Sequence, residues 1–527
     1  MGKDRELDFI LKGGQVFDGA GNPSTLMDIG ISGKKIKRMG ALAGAAARET
    51  IDCAGLAVCP GFIDMHSHSD LMIFVEPEAT AKVMQGVTTE VLGQDGQSVA
   101  PIKDEHKADW RRHLSGLLGD AGVEWDWNSF GEYLSALEKV RPATNLVSLV
   151  PHGSLRLWVM GMANRKASAE ELKQMKLLLR ESLEDGAAGM STGLIYPPCP
   201  YADLTELAEL CNVLKERGKF FVVHVRNEDS AVMESMEEMF EVARLSGAPV
   251  HISHLKVAGK PQHGRAGELL EKINRARSEG LEITFDQYPY TAGSTMLFAL
   301  LPEWLQDGGS ERMVERLKEP QVRQRIVEEM AARTSSSGVA PSDIRVSAVA
   351  TEKNKHLEGK NLFELAEAVD EPFIDAICDL LIEEQLAVSM IIFVSDEADV
   401  RTIMRHPAQI VCTDGLLGGR PHPRVYGAFP RILGRYCRDE KLLTLAEAIR
   451  KMTSAPAHRL GLSGRGLLRE GYHADVVVFN PDTIIDTATY EEPRQAPIGI
   501  EHVFINGKHA VAAGKQTGSR SGKVLRV

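Results

Sequence analysis

The sequence predicts an α/β protein in which a (β/α)8 barrel carries a small β domain built from both ends of the chain. Short strand-like segments, separated by glycine-containing turns, occupy both ends of the 527-residue chain. Between them, apolar segments of strand length alternate with amphipathic segments of helix length. Polar side chains follow the apolar segments, and a barrel of this class places its active site at the carboxyl ends of its strands.

The two ends of the chain are predicted to form one β domain. Met27 to Ile31 near the amino end and Asp475 to Asn480 near the carboxyl end are rich in residues that favour β-strands. Neither end has enough apolar residues to build a core alone. We therefore expect residues 1–56 and 461–527 to pack together, with the rest of the chain inserted between them.

Residues 57–460 show the alternation of strands and helices that is typical of a parallel sheet covered by helices. A capping-box pattern at Ser168 predicts the start of one helix. The apolar segment Phe220 to Val223 predicts a buried strand that ends at His224, and the next predicted strand ends at His254. An open doubly wound sheet is the competing architecture, but it would gather its site at one switch point. Candidate side chains follow nearly every strand here, which favours the barrel.

The segment from about residue 300 to 390 is longer than one strand–helix repeat requires. The charged stretch Glu311 to Arg333 is expected to be helical, and the small residues at 335–338 predict a break after it. We expect this segment to be an elaboration of the barrel or a small inserted lid subdomain.

Composition and charge argue against several classes of protein. The formal net charge is −12 and no long block of lysine or arginine occurs, so nucleic acid is not expected as a partner. No apolar run approaches the ~20 residues that cross a bilayer, so no membrane association is expected. Seven cysteines without a Cys-x-x-Cys pattern indicate no disulfide framework. We expect a cytoplasmic enzyme with a small-molecule substrate, and the sequence leaves the oligomeric state open.

Four histidines and one aspartate follow predicted strands that lie far apart in the sequence. Residues i and i+2 of an extended strand point to the same side, so His66 and His68 can bind one metal ion. His224, His254 and Asp414 follow the predicted fifth, sixth and eighth strands. Imidazole and carboxylate ligands suit zinc, and a zinc site with an open coordination position is catalytic. Any one of these histidines alone is more often structural, so the hypothesis depends on their convergence.

Several motifs resemble those of a known enzyme family. Residues 60–68 are similar to the first metal-binding motif of the amidohydrolase superfamily. Further segments make the resemblance more specific, and they are residues 191–198, 251–256, 288–294, 414–415 and 420–424. Together they resemble the N-acyl-D-amino-acid deacylases, also called D-aminoacylases, over essentially the whole chain.

This resemblance implies a distorted TIM barrel with a β-sandwich and zinc-dependent hydrolysis of the amide bond of N-acyl-D-amino acids. It implies a tight zinc site at His224 and His254. It also implies a second, weaker metal site at His66, His68 and Asp414.

The sequence departs from the family pattern at Asp95, where the familiar D-aminoacylases carry a cysteine ligand. A carboxylate is a harder ligand than a thiolate, so Asp95 is expected to bind the metal with altered affinity or preference. The predicted fourth strand, residues 187–191, carries no lysine that could become a carbamylated bridge between two metals. A full binuclear centre is therefore in doubt.

The hydrolysis needs a proton carrier and a cation for the substrate. Zinc lowers the pKa of water toward ~7, and Asp414 is expected to take the water proton and pass it to the departing amine. The free carboxylate of the substrate needs a cationic partner, and a guanidinium such as Arg424 can donate two parallel hydrogen bonds to it. By resemblance, the assisting donors are Lys256, Tyr288 and Ser294. Arg226 and Glu228 are expected to form a structural pair beside His224.

Two other functions stay open at this point. A cyclic-amide or dipeptide hydrolase of dihydropyrimidinase or isoaspartyl-dipeptidase type would use the same barrel. The missing lysine and the presence of Arg424 in its motif argue against it. A binding or scaffold protein without metal is the third possibility, and the zinc content after purification distinguishes it from the other two.

Overall fold

The computed structural model describes residues 7–119 and 122–527, except for the side chains of residues 333–335. In these ranges the strands are, in chain order, β1 Leu7–Val16, β2 Thr25–Ser32, β3 Lys35–Gly40, β4 Ala47–Asp52, β5 Ala57–Pro60, β6 Phe62–Asp64, β7 Val87–Leu92, β8 Asn145–Ser148, β9 Val150–Pro151, β10 Gly189–Gly193, β11 Phe220–His224, β12 Val250–Ile252, β13 Ile283–Gln287, β14 Ala292–Met296, β15 Ile344–Val349, β16 Val388–Phe393, β17 Gln409–Val411, β18 Val476–Phe479, β19 Ile500–Ile505, β20 Lys508–Ala512 and β21 Lys515–Gln516.

The α-helices of the same ranges cover the strands or connect them. They are α1 Met72–Val75, α2 Thr80–Val83, α3 Asp104–Leu118, α4 Phe130–Val140, α5 His152–Met160, α6 Ala169–Glu184, α7 Leu204–Glu216, α8 Val232–Ser246, α9 Ala266–Ser278, α10 Ser310–Leu317, α11 Pro320–Ser337, α12 Leu362–Val369, α13 Phe373–Glu383, α14 Glu397–Met404, α15 Arg424–Arg431, α16 Leu445–Met452 and α17 Ser454–Arg459. The capping box at Ser168 is present and begins α6, as the sequence predicts.

Strands from both ends of the chain form one sheet. Its order is β21-β20-β19-β18-β5-β1-β2-β3, with β4 paired to β1. The joint between the two ends is the antiparallel pair β5–β18, in which Val58 lies opposite Val478. Ile29, Ile31 and Phe504 belong to the same buried cluster as Val58 and Val478. Apolar side chains from both ends therefore share one core. This agrees with the expectation that neither end has enough apolar residues to build a core alone.

The middle of the chain forms two parallel sheets. One has the order β6-β7-β8, and the other has the order β17-β13-β12-β11-β10-β9. Strand β7 is buried along its whole length, as a strand with both faces covered must be. Neighbouring strands in these sheets are consecutive in the sequence, except for β13 and β17, which are separated by an inserted segment.

The two parallel sheets meet at both edges. Strands β8 and β9 are separated only by Leu149, whose amide donates to Leu92 O at 3.0 Å. At the opposite edge, Ser67 after β6 forms a parallel bridge with Gly415 after β17. The carboxyl ends of the parallel strands therefore converge on one rim, where the predicted side chains lie.

The excursion between β13 and β17 contains a three-stranded antiparallel sheet of order β14-β16-β15 together with α10 to α13. The expected helical structure over Glu311 to Arg333 is confirmed, but it is divided between two helices. Two helices, α10 and α11, are present, because proline disfavours helical conformation in the residue before it and Pro320 begins the second helix. The second helix continues through Ser337 and ends at Gly338, which has a φ of +65°. In the described ranges, no helix is long and apolar enough to cross a membrane.

Candidate metal centre

His66 and His68 lie just beyond β6, and their rings lie close together at an angle of 60°. Both side chains are buried, and their Nε2 atoms are 3.3 Å apart. Asp64, the last residue of β6, fixes this segment because its carboxylate accepts hydrogen bonds from Thr413 N at 2.8 Å and from Lys82 Nζ at 2.6 Å. The carboxylate thus ties the first parallel strand to the segment that follows the last one.

Asp95 lies in a tight turn after β7. It has a φ of +56°, in the left-handed region that is uncommon for residues other than glycine. Its Oδ2 atom is 3.4 Å from His66 Nε2, 3.6 Å from His68 Nε2 and 3.9 Å from His254 Nε2. The predicted replacement for the cysteine ligand therefore lies among the histidines of both predicted metal sites.

His224 and His254 come from neighbouring parallel strands. His224 is the last residue of β11, and His254 follows β12 by two residues. His224 Nδ1 and His254 Nε2 are 2.9 Å apart. His254 has a φ of +33°, which turns the chain sharply at the strand end. Its backbone N–H donates to Asp286 Oδ1 at 2.7 Å, which stabilises this turn.

Asp414 completes the arrangement from the strand end after β17. Its backbone N–H donates to His66 O at 2.9 Å, and its φ is +49°. Its Oδ1 atom is 3.2 Å from His68 Nε2 and 3.6 Å from His66 Nε2. The structure therefore brings together all six predicted metal ligands, which are His66, His68, Asp95, His224, His254 and Asp414.

The chemistry of these side chains fits a metal ion. Two groups, His66–His68–Asp95 and Asp95–His224–His254, each offer ligand atoms that lie within 4.8 Å of one another. Among the described residues, His224 Nε2 and Asp95 Oδ1 are buried atoms without a hydrogen-bond partner. Buried polar atoms are normally paired, so this cluster of nitrogen and oxygen atoms matches a site for a cation. Nitrogen and oxygen donors in such groups are ligands that zinc accepts.

The electrostatics of the site favour ionised carboxylates. Burial alone would raise the pKa of Asp414, but the Arg424 guanidinium, 2.9 Å from Asp414 Oδ2, holds this pKa well below its usual range. Burial would likewise raise the pKa of Asp95, and the neighbouring imidazoles, His66 foremost, lower it instead. Both side chains are therefore anions that can bind a cation or accept a proton.

A cavity of about 220 Å³ opens beside these ligands. Of the four predicted substrate-binding residues, Lys256, Tyr288 and Ser294 line it. Arg424 does not line it and is fully buried. Its guanidinium lies 4.4 Å from the centre of the Tyr288 ring and donates to Ser294 O at 3.1 Å. Arg424 therefore contacts the cavity wall from behind, in addition to pairing with Asp414.

Two carboxylates near the site were missed as functional candidates. The sequence predicts a pair between Arg226 and Glu228, and this prediction is wrong, because Arg226 pairs with Glu238 at 2.9 Å. Glu228 instead lies 2.7 Å from Lys256 Nζ and 3.0 Å from His254 Nδ1. Lys256 Nζ also lies 2.7 Å from His254 Nδ1, so Glu228 and Lys256 both contact this nitrogen and orient the ring. Nε2, the other ring nitrogen, points toward Asp95, and such contacts behind histidine ligands are common.

The second missed carboxylate is Asp286, which ends a predicted strand. Its Oδ2 atom accepts from His251 Nε2 at 2.8 Å and lies 3.9 Å from His66 Nδ1. Together with its bond to the backbone of His254, these contacts place Asp286 beneath both histidine groups. The signal that could have identified it was its strand-end position, which it shares with the ligands.

Comparisons with known proteins place the chain in one family. The sequence model of the amidohydrolase family matches residues 49–511. The D-aminoacylase of Alcaligenes xylosoxydans xylosoxydans is 36% identical over 520 residues, which are 98% of this chain and 97% of that protein. The N-acyl-D-glutamate deacylase of the same organism is 36% identical over 522 residues, which are 99% of this chain and 97% of that protein.

Solved structures agree with these relatives. A crystal structure of a D-aminoacylase has a TM-score of 0.84 and 35% identity, with 99% of this chain and 100% of that chain covered. The N-acyl-D-glutamate deacylase of Bordetella bronchiseptica, complexed with zinc and a phosphonate inhibitor, has a TM-score of 0.84 and 34% identity at the same coverage. The dihydropyrimidinase of Brevibacillus agri NCHU1002 shares the fold alone, with a TM-score of 0.57, 13% identity and 98% of each chain covered.

The fold and the two ligand groups thus define an amidohydrolase. The chain belongs to the amidohydrolase family, within its group of D-aminoacylases and N-acyl-D-amino-acid deacylases.

Proposed function

We propose that this protein is a zinc-dependent enzyme that hydrolyses the amide bond of N-acyl-D-amino acids to a carboxylate and a free D-amino acid. The observation that carries the proposal is the convergence of two histidine–aspartate groups beside a small cavity. The near full-length similarity to deacylases that act on N-acyl-D-amino acids supports it.

The metal ligands we propose are His66, His68, Asp95, His224, His254 and Asp414. Zinc held by these side chains would supply positive charge that acidifies water and polarises the amide carbonyl. We assign the tighter site to His224 and His254 and a second, weaker site to His66, His68 and Asp414. The central position of Asp95 supports a role in both sites.

We assign the proton transfer to Asp414. Arg424 holds its Oδ2 atom, and Oδ1 lies among the proposed ligands, 3.2 Å from His68 Nε2, where it can accept a proton from water. The hydroxide portion of that water adds to the amide carbon, the C–N bond breaks, and Asp414 returns the proton to the amine nitrogen. The lowered pKa of Asp414 keeps it ionised and ready to accept the proton.

We assign recognition of the substrate carboxylate to the donors on the cavity wall. Burial alone would lower the pKa of Lys256, but Glu228, together with Tyr288 and Asp414, raises it overall, so its ammonium group stays charged. Burial raises the pKa of Tyr288, so its hydroxyl stays protonated. Ser294 and Arg424 are the remaining predicted partners, and Arg424 would need a small shift of Ser294 or Tyr288 to reach a ligand directly.

The alternative of a dihydropyrimidinase-like or isoaspartyl-dipeptidase-like hydrolase is not favoured. Strand β10, residues 189–193, contains no lysine that could bridge two metal ions. The likeness to dihydropyrimidinase is distant and extends to the fold only.

We also propose the arrangement of the domains and a cytoplasmic location for the protein. The contacts at both edges of the two parallel sheets support a closed, distorted (β/α)8 barrel over residues 57–460, with an insertion at about 300–390. The shared sheet and core of residues 1–56 and 461–527 support a separate β-sandwich domain, which also includes β5.

All seven cysteines are buried and free, which supports a location in the reducing environment of the cytoplasm.

A panel of paired N-acetyl-D- and N-acetyl-L-amino acids, assayed with and without a chelator, tests the function. We expect turnover of D-substrates that stops when the metal is removed and returns when zinc is added. Hydrolysis of L-substrates only would contradict the assignment to D-amino acids. Unchanged turnover after complete removal of the metal would contradict the role of zinc.

A further inference from the structure

The inserted sheet forms an apolar wall of the cavity. Alternate residues of a strand point to the same side, so Met390 and Ile392 of β16 share one face. This face lines the cavity, and Val394, just after the strand, continues it. From other elements, the aliphatic lining residues are Leu117, Ile195, Ala258, Ala299 and Leu300. Apolar side chains therefore form a large part of the cavity wall.

The cations that line the cavity are already engaged. Arg226 donates from Nε and Nη2 to Glu238, from Nη1 to Pro200 O at 2.8 Å and from Nη2 to Ala202 O at 3.2 Å. These bonds direct its guanidinium away from a ligand. Lys256 pairs with Glu228 and keeps donor capacity for one substrate carboxylate.

A second negative charge on the substrate would find no cation among the described lining residues. Glu228 and Asp229 also line the cavity, and their carboxylates would repel an acidic side chain. A carboxylate buried against apolar side chains without a partner is strongly unfavourable. The cavity thus accepts the charge of the α-carboxylate but not that of an acidic side chain.

We infer that the enzyme is specific for N-acyl-D-amino acids with uncharged, apolar side chains, such as leucine or methionine, and that the inserted β14–β16 sheet selects them. This inference rests on the proposed function, since it names the substrate class for the same site. Relatives of similar identity to this chain include a D-aminoacylase, a D-glutamate deacylase and a D-aspartate deacylase, so identity alone does not choose between these substrates.

The test compares kcat/KM of the zinc-loaded enzyme for the N-acetyl derivatives of D-leucine, D-methionine, D-glutamate and D-aspartate, with the L-enantiomers as controls. We expect the two apolar D-substrates to exceed the two acidic ones by about 100-fold or more. Equal or better turnover of the acidic D-substrates would overturn the inference and leave the proposed function intact. Absence of turnover of every D-substrate would instead contradict the proposed function.

An Ile392→Arg variant tests the role of the inserted sheet. Ile392 is only half-buried, so the longer side chain can be accommodated with its charge toward the cavity. We expect the ratio of kcat/KM for N-acetyl-D-glutamate to that for N-acetyl-D-leucine to rise about 10-fold or more. The matched control is Phe363→Arg, on the exposed surface of α12 in the same insertion, which should leave the ratio unchanged.

If the folded Ile392→Arg variant has the same ratio of kcat/KM for the two substrates as the unmodified enzyme, the inserted sheet does not select the side chain of the substrate. Folding is checked by thermal melting of each variant. The comparison of substrates with the unmodified enzyme does not depend on the variant, so the substrate class stays testable if Ile392→Arg does not fold.

Discussion

The two oxygens of Asp414 have different neighbours, and this division supports its proposed role. Oδ2 lies against the Arg424 guanidinium at 2.9 Å, whereas Oδ1 lies 3.2 Å from His68 Nε2. The arginine therefore fixes the orientation of the carboxylate and keeps it ionised. A carboxylate held in this way can exchange a proton at one oxygen without turning.

Replacing Asp414 by Asn should abolish most of the activity. The amide cannot accept and return the proton, so we expect kcat to fall by about 10²–10⁴-fold, the usual contribution of a general acid–base group. The loss of charge also leaves Arg424 unpaired, so thermal melting must show that the variant is folded at the assay temperature. The measurement is steady-state kinetics with an N-acetyl-D-amino acid.

Asp475→Asn is the matched control for Asp414→Asn. Asp475 forms a comparable buried pair with Arg465, but this pair lies beside the sheet built from both chain ends, just before β18. We expect a similar loss of stability with little change in kcat. Equal losses of kcat in the two variants would show that Asp414 acts only through the stability of the fold.

Asp95 is the residue whose replacement should affect both metal sites. Its Oδ2 atom lies within 4 Å of His66, His68 and His254. Asn tolerates the left-handed backbone conformation at this position but carries no charge. We expect Asp95→Asn to weaken zinc binding at least as much as the ~10–100-fold typical for loss of a residue that supports a ligand.

Zinc affinity in competition with a chelator measures this effect, and Asp95→Cys is the informative second variant. A thiolate is a good zinc ligand, so we expect Asp95→Cys to retain zinc better than Asp95→Asn does. Zinc affinity of Asp95→Asn equal to that of the unmodified protein would exclude Asp95 as a ligand.

At the scale of elements, the turn that carries Asp95 depends on a neighbouring strand. Ser191 of β10 accepts a hydrogen bond from Gly96 N at 2.9 Å and donates one to Gly93 O. One hydroxyl thus closes both sides of the turn, which contains positive φ angles at Gly93, Asp95 and Gly96. The position of the ligand is therefore set partly by a residue from the next sheet.

Removing this hydroxyl with Ser191→Ala should loosen the turn. The buried Gly96 N–H and Gly93 C=O groups each lose a hydrogen-bond partner, which lowers the free energy of unfolding by about 1–3 kcal/mol. We expect a lower melting temperature and release of zinc at a lower chelator concentration. Ser182→Ala is the control, because the Ser182 hydroxyl bonds only to Leu178 O of its own helix. An equal effect of both variants on zinc release would contradict a role of Ser191 in positioning Asp95.

Helix α16 carries a buried lysine that should make stability depend on pH. Burial, partly opposed by Glu447, lowers the pKa of Lys451 to about 7, against 10.5 in an unfolded chain. Between these values the unfolded chain binds a proton that the folded chain does not. Stability therefore falls as the pH decreases from about 10 to 7, and this loss is complete below pH 7.

Lys451→Met should remove this dependence. We expect the stability of the unmodified protein, relative to the variant, to rise by about 2 kcal/mol between pH 7 and pH 9. Thermal melting of both proteins at the two pH values measures the difference. Lys508→Met, at an exposed position, is the control and should show no such change. Parallel pH profiles of the unmodified protein and Lys451→Met would contradict the prediction.

The sequence predicts the positions of the strand-end side chains well because their signal is local. His224 directly ends an apolar strand, and its place at the rim follows from that position alone. The pair Arg226–Glu228 was predicted from proximity in sequence, but Arg226 reaches back to Glu238 on α8 and Glu228 to Lys256. Such pairing depends on tertiary contacts that spacing along the chain does not contain.

The inserted sheet shows the same limit at a larger scale. Ser294 lies opposite Ile391 in the β14–β16 pair, across almost a hundred residues. Antiparallel register over that distance depends on the packing of the elements between, so the sequence predicted only an elaboration. Arg424 was correctly placed near the site, but its burial behind Tyr288 and Ser294 could not be read from its motif.

For the whole molecule, the proposed metal ligands connect distant parts of the chain. They lie at or just beyond the carboxyl ends of β6, β7, β11, β12 and β17, so the two parallel sheets both contribute. Neither sheet alone contains the two ligand groups, since Asp95 follows a strand of one sheet and His224 and His254 follow strands of the other. Binding of zinc should therefore stabilise the contact between the sheets and not only the local segments.

Removal of the metal should consequently lower the melting temperature of the region that contains both parallel sheets. A ligand that binds only the folded state stabilises it by about 2.7 kcal/mol at a free concentration 100 times its Kd. We expect chelation to lower the melting temperature and added zinc to restore it. Magnesium, which prefers an octahedral shell of oxygen ligands, should restore little. A melting temperature that is insensitive to chelation, with removal verified by metal analysis, would show that the six side chains converge without binding a metal that stabilises the fold.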